Sequence, residues 1–251
     1  MTVNDNAGIA LYDLSNRPAT FDIFTFLALA STCGARHVRF VLGGWKKKNY
    51  SVESAQRRFE SIVEPAVALY GMDYSIGERA GVEYSHMIDK LLIAHREHGS
   101  INKMRFTVEP KQYVTVTLRK SRTTARDSNE AEWLAFAKRH KAIVIRDYDE
   151  RPLELADRVK LYAGARMNFF VNNGPAILGI LSEIPYLIMR YIGDAECVMA
   201  SPEQMAKLGI TPGFQYPWAN EYQRLSYLPD TAENIEREWA SMPQVAQRIA
   251  A

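Results

Sequence analysis

Basic and amide side chains follow two segments of the chain that are predicted to be buried strands. Arg119 comes directly after residues 112–118, an alternating β-branched segment, and Arg122 lies three residues further on. The apolar segment 167–171 is followed by Asn172, Asn173, Gly174, Pro175 and Ala176. Guanidinium groups, and backbone N–H groups at a turn that opens a helix, are donors that bind phosphates in proteins. The pattern predicts an anion site at the carboxyl edge of a parallel sheet.

Plainer explanations exist for the same residues. The loop arginines Arg119, Arg122 and Arg126 could be solvated, or could pair with Asp127 and Glu130. The Asn-Asn-Gly-Pro sequence could serve the turn alone, because Asn and Gly tolerate positive φ and Pro suits a first helical position. At the level of the sequence both explanations stay open.

Apolar segments with strand character alternate with segments of helical periodicity along the chain. A β-α-β pattern covers residues 8–42, and a longer β-α-β-α-β-α-β pattern covers residues 112–189. A polar stretch at 99–111 separates the two. Because β-α-β units build parallel sheets, the sequence predicts an α/β fold of two Rossmann-like lobes, residues 1–108 and 109–251.

The composition of the chain bears on which partners we expect the protein to have and on where in the cell we expect it. The 251 residues carry a net charge of +2, so we expect no nucleic-acid partner. No apolar run reaches the roughly 20 residues of a membrane helix, which leaves at most peripheral membrane contact. The first residues, MTVNDNAG, lack the pattern of a signal peptide. Cys33 and Cys197 are far apart and form no Cys-x-x-Cys motif, so we expect buried thiols in a reducing cytoplasm.

Several motifs of well-known enzyme classes are absent from the sequence. There is no Gly-x-Gly-x-x-Gly after the first strand of either half, no Gly-x₄-Gly-Lys-[Ser/Thr] and no His-Glu-x-x-His. These absences count against a dinucleotide-binding enzyme, a P-loop NTPase and a zinc protease. The fold class by itself does not choose a reaction.

A family resemblance covers about a third of the chain, from about residue 113 to 189. The segments VTLRKSR, DSNEAEWLAFAK, VIRD and NFFVNNGPAILGILSEIPYLIM follow one another as in the donor-binding domain of GT-B-type glycosyltransferases. The stretch resembles most the heptosyltransferases and fucosyltransferase-like enzymes. This resemblance implies a GT-B-like fold with a reduced first lobe. It also implies metal-independent sugar transfer, with no cofactor, from a nucleotide-diphosphate sugar to a glycan or lipid-linked acceptor in cell-surface polysaccharide or lipopolysaccharide synthesis.

The resemblance also implies roles for individual residues. Arg119, with Arg122 beside it, would contact the donor diphosphate, and the turn at 172–176 would cradle the same phosphates. The base that activates the acceptor hydroxyl would come from the first lobe. Asp13, which ends the first strand, is the first candidate, and Asp22 is the second. Asp13 could instead be a structural loop carboxylate, and Asp22 could only complement the dipole of its helix.

Other functions stay open beside this one. Asp147 and Asp149 form an Asp-x-Asp motif at a predicted strand end, which GT-A-type glycosyltransferases use to hold a divalent metal. A GT-B-like fold also serves nucleotide-sugar epimerases and hydrolases. A small first lobe is compatible with a non-catalytic binding or scaffold protein. Nucleotide binding, its metal requirement and sugar release without an acceptor separate these alternatives.

Overall fold

The computed structural model describes residues 8–17, 19–42, 52–109, 111–120, 126–146, 153–197 and 200–243. The chain divides into two compact units, Met1–Phe106 and Thr107–Ala251. Each unit contains a sheet whose paired strands are parallel, with helices between the strands. The predicted α/β class with two Rossmann-like parallel sheets is confirmed.

The first unit has a four-stranded sheet in the order β3-β2-β1-β4. Its strands are β1 Ile9–Asp13, β2 His37–Val41, β3 Asp73–Ile76 and β4 Val82–Glu83, and its helices are α1 Asp22–Thr32, α2 Val52–Arg58, α3 Glu64–Leu69 and α4 Ile88–His98. The sequence predicts only a turn-rich connection at 71–81, where β3 lies, and assigns no element to 82–83, where β4 lies. Both are edge strands, and their exposed side chains, among them Ile76 and Val82, remove the alternation that marks a strand.

Pro65 distorts the long helix that the sequence predicts between residues 51 and 70. A π-helical segment, Phe59–Val63, separates α2 from α3, and the N–H of Glu64 donates to the carbonyl of Phe59. Proline has no N–H and its ring clashes with the carbonyl four residues earlier, so the helix widens in the turn before it. The predicted interruption is therefore confirmed, and its form is a π turn.

The second unit has a five-stranded sheet in the order β6-β5-β7-β8-β9. Its strands are β5 Val114–Leu118, β6 Ile143–Arg146, β7 Met167–Val171, β8 Tyr186–Met189 and β9 Gln223–Leu225, and its helices are α5 Glu130–His140, α6 Leu155–Ala163, α7 Ala176–Ile180, α8 Pro202–Lys207 and α9 Ala232–Ser241. β7 is central, and β5, β7 and β8 are buried along their whole length. The sequence missed β9, whose three residues stand in a polar, aromatic stretch.

One polar side chain lies inside the central strand. Asn168 is fully buried, and its Oδ1 accepts a hydrogen bond from Thr115 Oγ1 at 2.6 Å. Its Nδ2 donates to the carbonyls of Tyr162 and Pro185, both at 3.0 Å. The amide thereby joins β7 to β5, to the end of α6 and to the residue before β8.

Replacing Asn168 by alanine is expected to lower the free energy of unfolding by about 2 kcal/mol, because it leaves buried polar groups without partners. Urea denaturation would measure the loss. Asn129→Ala is the matched control, since the Asn129 side chain is exposed and makes no capping bond, and it should change stability by less than about 0.5 kcal/mol. Equal effects of the two variants would contradict the role given to Asn168.

The sequence predicts a capping box of Asn129 with Glu132 for α5 and one of Asp230 with Glu233 for α9, and both predictions are wrong. The cap that it predicts for α8 is confirmed. The Asn129 side chain makes no capping bond, and α9 is capped by Thr231, which accepts from the N–H of Asn234, rather than by Asp230. Asp230 instead reaches α5, where its Oδ2 accepts from the Asn129 N–H at 2.8 Å. Ser201 caps α8 as predicted. A carboxylate distant in sequence therefore accepts the N–H that Glu132 would accept in a capping box.

The two cysteines differ in exposure. Cys197 is buried, but Cys33 is exposed at the end of α1, so the prediction of two buried thiols is wrong for Cys33. In the part of the chain that the structure describes, no helix combines the length and the apolarity that crossing a bilayer would require.

Candidate functional site

Polar side chains gather at the carboxyl edge of the second sheet. β5, β7 and β8 are neighbours and parallel, so their carboxyl ends lie side by side. The residues that follow these strands directly are Arg119, Asn172 and Arg190. In open α/β sheets ligands bind at this edge, and two of its three positions here carry a guanidinium group.

A further arginine joins this edge from the loop after β5. Arg126 Nη2 donates to the carbonyl of Asn172 at 2.9 Å, and Asn172 Nδ2 donates to the carbonyl of Tyr191 at 2.7 Å. A recess of about 10 Å³, which is room for one water-sized group, lies beside this chain of bonds and is partly open to solvent. Its lining consists of Arg126, Val171, Asn172, Arg190, Gly193 and Ala200. The recess can therefore take one oxygen-sized part of a ligand, and the rest of the ligand would lie outside it.

Arg190 has an unusual backbone. Its φ is 46°, in the left-handed region that non-glycine residues rarely adopt. Its N–H donates to Leu228 O at 3.1 Å, its Nη2 donates to Asp127 O, and its Nη1 lies 3.7 Å from Asp230 Oδ1. These contacts from two other segments hold the strained residue in place, and such strain often accompanies binding sites.

Two buried donors at this edge make no hydrogen bond to the described residues. They are Nε of Arg126 and Nδ2 of Asn173. Buried donors in native proteins nearly always have a partner, so each of these needs an explanation. An anion at the edge of the sheet would supply an acceptor for both.

The turn before α7 is largely occupied by its own bonds. The Ala176 N–H donates to Asn173 Oδ1 at 3.0 Å, and the Ile177 N–H donates to Gly174 O at 3.1 Å. Pro175, at the N-cap position, has no N–H to offer. The expected supply of free N–H groups is therefore not found at Ala176 or Ile177. A phosphate role for residues 172–176 stays a prediction, and it would depend on the Asn side chains.

An aromatic cluster lies beneath this edge. Tyr191 and Tyr216 are buried and joined hydroxyl to hydroxyl, and Tyr216 stacks on Trp218 with ring centroids 4.8 Å apart. Burial raises the pKa of Tyr191 to about 12, although Arg126 nearby lowers it in part. The sequence left open whether Tyr216, Trp218 and Tyr222 stack on a ligand or pack. All three are buried in the second unit, which favours packing.

Because the Tyr191 hydroxyl is buried, we expect the free energy of unfolding to fall at high pH. Its pKa is raised above the usual value near 10, so the folded state keeps a proton that the unfolded state loses first. The stabilisation is full below pH 10 and is lost as the pH rises toward 12, by about 1.4 kcal/mol at pH 11 for this residue alone. Urea unfolding at pH 8 and at pH 11 measures how much the free energy of unfolding falls between the two pH values. This fall should be smaller in Tyr191→Phe than in the wild type, and an equal fall would contradict the raised pKa of Tyr191.

The predicted base Asp13 is enclosed by its own loop. Its Oδ1 accepts from the N–H and the hydroxyl of Ser15, and its Oδ2 accepts from Asn16 Nδ2 at 3.0 Å and Arg79 Nη1 at 3.1 Å. A carboxylate has about four acceptor positions, and here four donors occupy them. This is the arrangement of a structural loop carboxylate, and a catalytic role for Asp13 stays a prediction.

Asp22, the reserve candidate, is exposed in the first turn of α1. One of its oxygens accepts from Thr20 Oγ1 at 3.0 Å. Arg122, Asp147 and Asp149 lie outside the described residues. Among the residues that the structure describes, no group of three His, Cys, Asp or Glu side chains could hold a metal ion.

Sequence reasoning missed Arg190 and gave Arg126 too little weight. The signal for Arg190 was present, because it directly follows a buried apolar strand just as Arg119 does. Arg126 gave no such signal, since only the fold brings it against Asn172, 46 positions later in the chain.

Comparisons with known proteins give only distant likenesses. No protein-family model and no curated protein matches the chain. A solved structure of the iron-containing dodecameric glycosyltransferase TibC from enterotoxigenic E. coli H10407 is 14% identical, with a TM-score of 0.46 over 91% of this chain and 66% of that one. Tryptophan synthase from M. tuberculosis is 15% identical, with a TM-score of 0.16 over 74% of this chain and 75% of that one. Neither likeness is strong enough to bear on function.

Proposed function

We propose that the protein is a glycosyltransferase that binds the diphosphate of a nucleotide-sugar donor at the carboxyl edge of its second sheet. The observation that carries the proposal is that Arg119 directly follows β5, Arg190 directly follows β8, and the side chain of Arg126 bonds to Asn172, which follows β7 between them. A diphosphate needs several cationic donors at once, and guanidinium groups offer them in a fixed geometry.

The chemistry of transfer fits this set of groups. When the sugar leaves, negative charge develops on the departing diphosphate, and preformed cationic donors stabilise it without reorganisation. The arginines would take this role without a metal ion or another cofactor. The acceptor would be a glycan or a lipid-linked sugar of cell-surface polysaccharide synthesis, as the resemblance of residues 113–189 implies, and the enzyme would work in the cytoplasm.

The base that activates the acceptor hydroxyl would come from the first unit. Of the two carboxylates considered, Asp22 is the better candidate as the structure stands, because it is exposed while Asp13 is saturated with donors. Asp22→Asn should then lower the rate of transfer by about a hundredfold or more and leave donor affinity nearly unchanged. A variant that keeps full activity would return the role to another group.

Thermal stabilisation by nucleotides tests the proposal. The purified protein is heated with nucleoside mono- and diphosphates and nucleotide sugars, with magnesium and with EDTA. A ligand at one hundred times its dissociation constant should stabilise the protein by about 2.7 kcal/mol, which is a clear shift of Tm. We expect a shift with one nucleoside diphosphate that persists in EDTA. A shift that needs metal would favour Asp147 and Asp149, and the absence of any shift would contradict the proposal.

A non-catalytic nucleotide-binding protein is the second candidate. The occupation of Asp13 by four donors favours it, since one of the two candidate bases has no acceptor position left. This candidate predicts nucleotide binding with no release of nucleoside diphosphate from any nucleotide sugar, with or without acceptor. Release of nucleoside diphosphate in the presence of an acceptor would exclude it.

A further inference from the structure

A basic groove lies in the first unit, away from the carboxyl edge of its sheet. It has a volume of about 80 Å³ and is partly open to solvent, and Arg36, Lys103 and Arg105 contribute to its lining. Arg36 directly precedes β2, so the groove lies at the amino edge of the parallel sheet. Asp13 ends β1 at the opposite edge. The groove is therefore separate from the loop that begins at Asp13.

Two parts of the chain that are distant in sequence bring these cations together. Arg36 lies between α1 and β2, whereas Lys103 and Arg105 lie in the segment after α4. Among the described residues that line the groove, none carries a carboxylate. Neither Arg36 nor Arg105 forms an ion pair with a described residue. A bound anion would therefore balance the charges of these two arginines.

The carboxyl ends of α1 and α3 offer another explanation for the cations, because helix carbonyls attract positive charge. These carbonyls already accept other bonds. At the end of α1, Ser31 O accepts from the Gly34 N–H and from Asn102 Nδ2. At the end of α3, Leu69 O accepts from the backbone N–H of Arg105, which leaves the guanidinium group of that residue for another partner.

The walls of the groove add apolar surface. Tyr70 and Met72 line it and are buried, and the Tyr70 hydroxyl points to the carbonyl of Phe24 at 3.3 Å. Burial raises the pKa of that hydroxyl well above its ordinary value, so it stays neutral and adds no competing negative charge. The site combines cationic donors at the rim with an apolar, neutral wall.

We infer that this groove binds a phosphate group, either as the free ion or on a small phosphorylated molecule. The charge of Arg36, Lys103 and Arg105 matches a phosphate dianion, and the groove is partly open, so an organic group attached to the phosphate would extend into solvent. The site lies in the other unit from the proposed donor edge and does not depend on the proposed function.

Titration calorimetry with pyrophosphate tests the inference. Four proteins are compared: the wild type, Arg36→Gln with Arg105→Gln, Arg119→Gln with Arg126→Gln, and Arg96→Gln as a control at an exposed arginine of α4. We expect the Arg119/Arg126 variant to retain saturable pyrophosphate binding. In the Arg36/Arg105 variant the affinity for pyrophosphate at this site should fall by at least about tenfold, and Arg96→Gln should leave that affinity unchanged.

The outcomes separate this inference from the donor site. If pyrophosphate binding disappears entirely in the Arg119/Arg126 variant, the groove does not bind phosphate, while the donor proposal stands. If the Arg36/Arg105 variant binds like the wild type, or if no protein binds, the inference is wrong. A parallel titration with inorganic phosphate and glucose 6-phosphate distinguishes the free ion from a phosphorylated small molecule. Melting temperatures of all variants confirm that the substitutions leave the fold intact.

Discussion

Replacing Arg119 and Arg126 together by alanine is expected to weaken the binding of a nucleoside diphosphate by at least about a hundredfold. Each charge-assisted hydrogen bond to phosphate is worth roughly 1.5–3 kcal/mol, and two such losses exceed 3 kcal/mol. Both residues stand at the carboxyl edge of the second sheet, beside adjacent strands. Calorimetric titration with the nucleoside diphosphate that gives the largest thermal shift measures the change.

Two further variants sharpen this prediction. Arg237→Ala removes an exposed arginine on α9 that bonds only locally to Asn234 among the described residues, and it should leave the affinity unchanged. Arg126→Lys keeps the charge but loses the fork of donors, so its affinity should fall between those of the wild type and the alanine variant. Full donor affinity in the Arg119/Arg126 double variant would show that the ligand lies elsewhere.

Replacing Asp230 by alanine is expected to lower the free energy of unfolding by about 3–5 kcal/mol. Asp230 is buried, and its Oδ2 accepts from the Asn129 N–H at the start of α5 and from Trp133 Nε1 at 2.9 Å. Its other oxygen lies 3.7 Å from Arg190. Removing the carboxylate leaves the buried Trp133 Nε1 and the partly buried Asn129 N–H without an acceptor. It also leaves the partly buried Arg190 cation without its nearby negative charge. Urea unfolding measures the loss.

Glu233→Ala is the control for Asp230. The local sequence pattern makes Asp230 and Glu233 a capping pair for α9, but the structure gives that task to Thr231. Glu233 is exposed, so its loss should cost less than about 0.5 kcal/mol. Comparable losses for the two variants would mean that Asp230 acts locally, as the pattern suggests, and would contradict the link to α5.

The central strands of the second sheet could be predicted because their burial is complete. β7 coincides with the predicted segment 167–171, and every one of its residues is buried, so an uninterrupted run of mostly apolar side chains marks it. The edge strands β3 and β9 could not be predicted in this way. β3 has three exposed residues out of four, and β9 has only three residues, so neither shows a pattern that distinguishes it from a connection.

Helix caps and site contacts could likewise be predicted only where the two residues involved are close in sequence. Ser201 caps α8 through a residue three positions away, and the sequence alone identifies it. Asp230 serves α5 from 101 positions away, and Arg126 reaches Asn172 across 46 positions. Contacts of this kind depend on how the sheet is ordered, which the local sequence does not encode. Arg119 could be placed at the edge because it directly follows its strand.

The most direct test of the proposed donor site is a crystal structure of the protein with a bound nucleoside diphosphate. We predict that the phosphates lie at the carboxyl ends of β5, β7 and β8, within hydrogen-bonding distance of Arg119, Arg126 and Arg190. Arg126 Nε and Asn173 Nδ2 should gain an acceptor in that complex. A nucleotide bound at any other edge, or phosphates that contact none of these three arginines, would contradict the account.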